Sequence, residues 1–194
     1  ITVRDSIAPT GTIVIAGGLA STNTASVALT LSCTDSGSGC SQMQFSNDNI
    51  TFTALEAYST SKAWTLSSGD GVKTVYARYV DAAGNVSATV SDTITLDTMA
   101  PTTPTGLKAS AISNSQINLT WAASTDNIGV VGYKIERCAG SKCTNFTQVG
   151  TSTTTSFSNT GLSARTTYRY RIRAYDAAGN NSAYSSTVKV TTMR

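Results

Sequence analysis

Apolar residues recur at every second position in short runs along this chain, and no window sustains a helical period. Val27, Leu29, Leu31 and Cys33 share one side of a run; Ala28, Thr30 and Ser32 take the other. Val75, Ala77 and Tyr79 repeat the pattern. Tyr168, Tyr170, Ile172 and Ala174 repeat it again, against Arg169, Arg171 and Arg173. A period of two places alternate side chains on opposite faces of a strand. Further strands are expected at 12–15, from Met43 to Phe45, around Phe52 and Leu55, at Trp64 and Leu66, and from Val90 to Leu96. Beyond residue 104 they are expected at 107–112, 117–121, around Tyr133 and Ile135, around Phe146 and Val149, and at Phe157. Gly17-Gly18, Ser46-Asn47-Asp48-Asn49 and Gly69-Asp70-Gly71 break the runs with turn-forming residues. About seven short strands in each half, at hairpin spacing, predict an all-β chain with two antiparallel sandwiches.

One phrase occurs twice. Asp81-Ala82-Ala83-Gly84-Asn85 and Asp176-Ala177-Ala178-Gly179-Asn180 stand 95 residues apart, each between two apolar runs. It reads as the turn joining the last strands of two related domains. A second repeat pairs Asp5-Ser6-Ile7-Ala8-Pro9-Thr10 with Asp97-Thr98-Met99-Ala100-Pro101-Thr102. The later copy is a linker over 98–104, stiffened by Pro101 and Pro104. The earlier copy, by analogy, links the first domain to an upstream module. Residues 1–7 are then the end of that module and its linker, with Ile1-Thr2-Val3-Arg4 resembling Thr93-Ile94-Thr95-Leu96.

Two resemblances give the sandwiches names. Trp64-Thr65-Leu66, the run from Asp70-Gly71 to Arg78 and the Asp81–Asn85 turn resemble the bacterial Ig-like repeats of secreted and cell-surface proteins, over residues 8–97. Pro104-Thr105-Gly106-Leu107, Trp121, Gly132-Tyr133-Lys134-Ile135, and Leu162 six residues before Tyr168 resemble the fibronectin type III family over 101–192. The resemblance implies a tyrosine corner at Tyr168. Aligning the two turns puts Lys73 opposite Tyr168, so the first domain lacks that tyrosine. The fold class expected is therefore two tandem immunoglobulin-like sandwiches, at 8–97 and 105–194.

Four cysteines allow three pairings. Cys33 with Cys40 and Cys138 with Cys143 each lie within one expected loop, which favours two local disulfides and an oxidising compartment. The chain holds no His and only two Glu, Glu56 and Glu136, on separate domains. That excludes a Ser-His-Asp triad and leaves no glutamate pair for glycoside hydrolysis. No catalysis and no resident cofactor are expected.

Strand counting gathers acidic residues at the end of each sandwich where the chain comes in. The first set is Asp5, Asp35, Asp81 and Asn85. The second is Asp97, Asp126 with Asn127, Asp176 and Asn180. Oxygen ligands of this kind suit Ca²⁺, although Asp and Asn also shape turns unaided.

Charge divides unevenly. Residues 1–99 hold four basic and eight acidic side chains; residues 100–194 hold ten and three. Lys134, Arg169, Arg171, Arg173 and Lys189 fall on one outward face and could hold a polyanion. No apolar run is long enough to span a membrane, and nothing points to specific nucleic-acid recognition.

The composition and resemblances predict a non-catalytic spacer segment of a bacterial extracellular or cell-surface protein, a building block of a surface appendage among the options. Its partners are neighbouring domains of the same polypeptide. Two alternatives stand beside it: a polysaccharide- or polyanion-binding accessory of a secreted hydrolase, and a self-assembling filament subunit using residues 1–15 as a donated strand, with other copies of the chain or surface polysaccharide as partners.

Overall fold

The computed structural model describes residues 4–194. The resemblance between Ile1-Thr2-Val3 and a terminal strand lies outside the described residues. The chain divides between Thr98 and Met99 into two compact units.

In the first unit, β1 (Thr10–Ile15), β3 (Ser26–Thr34) and β6 (Ser61–Thr65) form one sheet. The second sheet runs, in order, β2 (Ser21–Thr22), β8 (Val90–Leu96), β7 (Gly71–Asp81), β4 (Cys40–Ser46) and β5 (Glu56–Ala57). A 3-10 turn at Ala16–Gly18, with Gly17 at φ 66° and Gly18 at φ 86°, carries the chain from the first sheet to the second. Positive φ is where glycine costs least. There β2 pairs in parallel with β8, Ser21 opposite Thr95 and Thr22 opposite Leu96.

The alternation of β3 holds: Val27, Leu29 and Leu31 are buried and their neighbours exposed. They meet Ile13, Ile15, Phe45, Val75, Ala77 and Tyr79 between the sheets. Each Val, Leu, Ile or Phe among them, fully buried, contributes roughly 1.5–3 kcal/mol. Trp64 is only half-buried; its ring packs 5.6 Å from that of Phe45 and its Nε1–H donates to Asn47 Oδ1 at 2.9 Å.

The strand expected around Phe52 and Leu55 does not form. Asp48 Oδ1 accepts the amides of Ile50 and Thr51, both at 2.8 Å, which extends the turn. Of the stretch 52–57, Glu56–Ala57 forms the strand that pairs with β4; Leu55 is exposed, and Phe52 stacks 3.9 Å beneath the Arg78 guanidinium.

In the second unit, β13 (Ser156–Asn159), β10 (Ile117–Ala122) and β9 (Thr105–Ala111) form one sheet. The other is β12 (Thr147–Ser152), β11 (Val130–Ala139), β14 (Thr167–Asp176) and β15 (Val188–Thr191). Phe146 falls just before β12 rather than within it. Ile117, Leu119, Ile135, Tyr170 and Ile172 are fully buried between the sheets, and Trp121 meets Tyr133 edge-on at 5.2 Å. The corner is present: the Ser163 amide donates to the Tyr168 hydroxyl at 3.0 Å, and Leu162 is buried beneath it.

Both disulfides are local, Cys33–Cys40 and Cys138–Cys143, with Cα atoms 6.2 and 5.9 Å apart.

Candidate functional site at the repeated turn

The two turns share the bonds that close their main chain. In the first, the Asp81 amide donates to Asn85 O at 3.1 Å and the Asn85 amide returns to Asp81 Oδ1 at 2.8 Å. In the second, Asp176 and Asn180 do the same at 3.2 and 2.8 Å. Gly84 and Gly179 supply φ of 90° and 94°, which their neighbours would adopt only under strain. A serine two positions after each Asn completes the unit. Ser87 Oγ accepts the Tyr79 amide at 3.0 Å and donates to Ala88 O at 2.8 Å. Ser182 Oγ accepts the Ala174 amide at 2.9 Å and donates to Ala183 O at 2.8 Å. Both serines are buried. The five-residue repeat was readable in the sequence; the serine that extends it to seven was visible at the same spacing and is what ties the turn into the sheet.

In the first unit the turn grips the N-terminal segment. A carboxylate oxygen from each of Asp5, Asp35 and Asp81 lies within 4.8 Å of the others. The Asn85 amide group is shared among Asp81 Oδ2 at 2.7 Å, Asp5 O at 3.2 Å and Ile7 O at 3.3 Å. Arg4 Nη2 donates to Ala83 O at 2.7 Å. Asp5 accepts the Ile7 amide through Oδ1 and the Ser38 amide through Oδ2, at 3.0 and 2.7 Å. Ser38 Oγ in turn accepts the Ala83 amide at 3.0 Å. Asp35 Oδ2 holds the amides of Gly37 and Gly39 at 3.1 and 2.7 Å. These groups frame an open groove of about 610 Å³ between Arg4–Ile7, Gly37–Ser38 and Ala82–Ala83.

The carboxyls respond to these donors. Backbone amides of Ile7 and Ser38 hold Asp5 below the ordinary carboxylate range. Burial pushes Asp81 up, but the bonds from Asn85, Gly84 and Ala83 together outweigh it and keep that group low as well.

In the second unit, Asp126 Oδ2 accepts the amides of Ile128 and Gly129 at 3.0 and 2.9 Å. A carboxylate oxygen of Asp126 lies within 4.8 Å of one of Asp176. Asp176 is 3% exposed. Its Oδ2 and the Oδ1 of Asp126 are both buried without a hydrogen-bond partner. Asp97 belongs to the first unit, where it is buried at the end of β8 and its amide donates to Thr22 O at 2.9 Å.

On the basic face of the second unit, Lys134, Arg169 and Arg171 have hydrogen-bond partners in the protein, whereas Arg173 Nε is buried without one. Arg171 forms a two-point bridge to Glu136 Oε2, through Nε at 2.8 Å and Nη2 at 2.7 Å. Its guanidinium lies 4.4 Å from the Phe146 ring and 3.8 Å from the Tyr184 ring, which covers it with aromatic surface. The Tyr184 hydroxyl donates to Glu136 Oε1 at 2.6 Å, and Arg173 sits 5.0 Å from the same ring. Arg169 donates to Cys143 O at 2.6 Å, and Lys134 to Asn181 Oδ1 at 2.7 Å. Lys189, opposite Arg169 across β14 and β15, is exposed. Burial raises the Glu136 carboxyl, but Tyr184 and Arg171 more than reverse this and leave it low. The five cations do share a face. What the basic pattern alone did not reveal is Glu136, Phe146 and Tyr184 among them; Glu136, two positions from Lys134 and so on the same side of β11, was the available signal.

The two glutamates are both committed. Glu56 pairs with Lys62 at 2.5 Å, and Glu136 pairs as above. No helix among the described residues is long and apolar enough to cross a membrane.

Comparison with known proteins adds a context. Residues 102–191 match the family model of the fibronectin type III domain. The chain is 44% identical over 129 residues to exoglucanase B of Cellulomonas fimi, covering 66% of this chain and 10% of that protein. It is 45% identical over 101 residues to chitinase Chi52 of Paenibacillus xylanexedens, covering 52% of this chain and 18% of the relative. The chain thus spans less than a fifth of the length of either. Among solved structures, the FN1-FN3 domains of chicken CNTN1 share the fold, with a TM-score of 0.62 at 19% identity over 96% of this chain and 69% of that one.

Proposed function

We propose that this chain is a non-catalytic spacer of a bacterial extracellular protein, an Ig-like sandwich followed by a fibronectin type III sandwich, serving a polysaccharide-degrading enzyme. The observation that carries the reading is the partial match to exoglucanase B: substantial identity over 129 residues that make up only 10% of the relative. A stretch of that size is an accessory part of a larger enzyme. The paired state of the side chains supports a passive role. Glu56 and Glu136 are each tied to a cation, and Arg171, the centre of the basic face, is neutralised by Glu136 and covered by two rings. The two disulfides suit an oxidising, extracellular setting. The spacer's partners are the domains joined to it in the same polypeptide.

The test is co-sedimentation of the purified chain with insoluble cellulose and chitin, together with passage over heparin resin at physiological salt. The chain is expected in the supernatant and the flow-through. Retention on the polysaccharides, or on heparin in a manner abolished by Lys189→Ala with Arg169→Ala, would replace the spacer by a binding accessory. Fibres in negative stain would replace it by a filament subunit.

A further inference from the structure

We propose that Asp126 and Asp176 hold a hard divalent cation of the calcium type in the second unit. The argument starts from how each carboxylate is used. Asp126 gives Oδ2 to its own turn, accepting from Ile128 and Gly129. Asp176 gives Oδ1 to its own turn, accepting from Asn180. The remaining oxygen of each, Asp126 Oδ1 and Asp176 Oδ2, is buried and lacks any hydrogen-bond partner. The Asp176 side chain is almost wholly buried, at 3% exposure. A carboxylate oxygen of one residue lies within 4.8 Å of one of the other.

Each of these two oxygens has given up water without gaining a hydrogen-bond donor. A buried carboxylate oxygen without a donor is costly, and a second carboxylate within 4.8 Å adds to that cost. A cation between them removes both penalties. Ca²⁺ binds oxygens at about 2.3–2.6 Å, so ligands up to about 5 Å apart can share one ion. Both donors sit on hydrogen-bonded turns, so they are held in place without the ion. Calcium also tolerates irregular ligand sets completed by carbonyl oxygens and water, which suits turns better than the strict octahedron of Mg²⁺.

The first unit supplies an internal contrast. There the residue matching Asp176 is Asp81, and both its oxygens accept from Asn85, the main-chain amide on Oδ1 and the side-chain amide on Oδ2. Both Asp5 oxygens are taken by the Ile7 and Ser38 amides. The turn's own aspartate is thus satisfied by a side-chain amide in one unit and keeps a bare oxygen in the other; Asp35 Oδ1 is also without a partner in the first unit, but neither Asp5 nor Asp81 offers a second free oxygen beside it. The proposal rests on Asp126 and Asp176 alone, and is independent of the spacer reading.

The test uses the whole chain, stripped with EDTA and titrated calorimetrically with CaCl₂ and, separately, MgCl₂. One Ca²⁺ site is expected, with a dissociation constant in the range of extracellular modules, about 10⁻⁴–10⁻³ M. Asp126→Asn retains an oxygen for the Ile128 and Gly129 amides, so the turn survives while the charge is lost; this variant should show no Ca²⁺ heat. Asp48→Asn in the first unit, outside both groups of carboxylates, should bind like the parent. Calcium should also raise the thermal midpoint of the parent and not of Asp126→Asn, with circular dichroism confirming that the variant is folded. Absence of Ca²⁺ heat in the parent overturns the proposal, as does heat that survives Asp126→Asn or disappears in Asp48→Asn. Tighter binding of Mg²⁺ than of Ca²⁺ overturns the calcium assignment.

Discussion

Lys73 Nζ donates to the carbonyl oxygen of Ser68 at 3.0 Å, five residues upstream. In the second unit Tyr168 reaches back the same five residues, its hydroxyl accepting the Ser163 amide at 3.0 Å. The position that lacks a tyrosine thus closes its corner with a flexible cation instead of a buried ring. The two bonds differ in setting: Tyr168 is buried, whereas Lys73 is half-exposed and its bond faces water. Tyr168→Phe should therefore destabilise the second unit by about 1–2 kcal/mol, since it strands an amide. Lys73→Met should change the first unit by no more than about 0.5 kcal/mol. Urea unfolding followed by the indole NMR signals of Trp64 and Trp121, one per unit, separates the two effects. Equal losses would contradict the distinction.

Gly11 is required for space, not for flexibility. A Cβ there would meet the Tyr79 ring and stand 2.5 Å from Ser32 O. Tyr79 cannot yield, because it is fully buried and its hydroxyl donates to Thr12 O at 2.5 Å. Burial also pushes that hydroxyl up to about 12, so it keeps its proton throughout ordinary conditions. Gly11→Ala should cost the first unit about 2–3 kcal/mol through overpacking, read as a lower urea midpoint with an unchanged slope.

The Arg171 assembly predicts an ordered series. Tyr184→Phe keeps the ring over Arg171 and removes only the donor to Glu136 Oε1; it should cost about 1 kcal/mol. Glu136→Ala leaves Arg171 without its carboxylate among aromatic rings and should cost about 2 kcal/mol. In Tyr184→Phe the Glu136 carboxyl should titrate higher than in the parent, because one of the bonds holding it low is gone. Carbon-detected NMR titration of Glu136 reads this directly, and an unmoved midpoint would refute it.

Acid should weaken the first unit in a defined window. Asp48 is lowered to about 2, chiefly by the Ser46 hydroxyl and then by the Ile50 and Thr51 amides. Asp5 and Asp81 are also held below their ordinary value. An unfolded Asp titrates near 3.9, so below about pH 4 the unfolded chain binds protons that the folded unit does not. The stability these groups contribute is complete above about pH 4 and is lost as pH falls toward about 2. Asp48→Asn should flatten that fall, measured as urea midpoints for the Trp64 signal from pH 5 to pH 2.

What the chain discloses in advance follows its physics. The buried faces of β3, β7 and β14 were legible because a strand with one dry side must alternate, and Val27, Leu29, Leu31 and Tyr168 through Ala174 do. The disulfides were legible because short loops leave each cysteine one near partner. Less accessible was the failure of the strand at Phe52 and Leu55, since Asp48 diverts the backbone with its side chain and alternation carries no trace of that. The Arg171 pairing was hidden for a different reason. Glu136 and Tyr184 lie 35 and 13 positions from Arg171, and only register across β11 and β14 makes the first adjacent to it. Likewise, strand counting put Asp35 beside Asp81, but not which oxygen each would keep for its own turn.

The short parallel pairing of β2 with β8 bears on how the first unit meets a pull. Strand β2 belongs to the N-terminal part of this unit and β8 to its C-terminal end, and both point the same way. Tension drawing the two ends apart then acts along these strands in opposite directions. The bonds from Thr95 to Ala20 O and from Asp97 to Thr22 O, 3.0 and 2.9 Å long, lie across that direction and share the load in shear. An antiparallel hairpin pulled from its open end loses its bonds one after another, like a zipper. Here the bonds must fail together, so two residues in a strand of minimal length can govern the force at which the unit gives way.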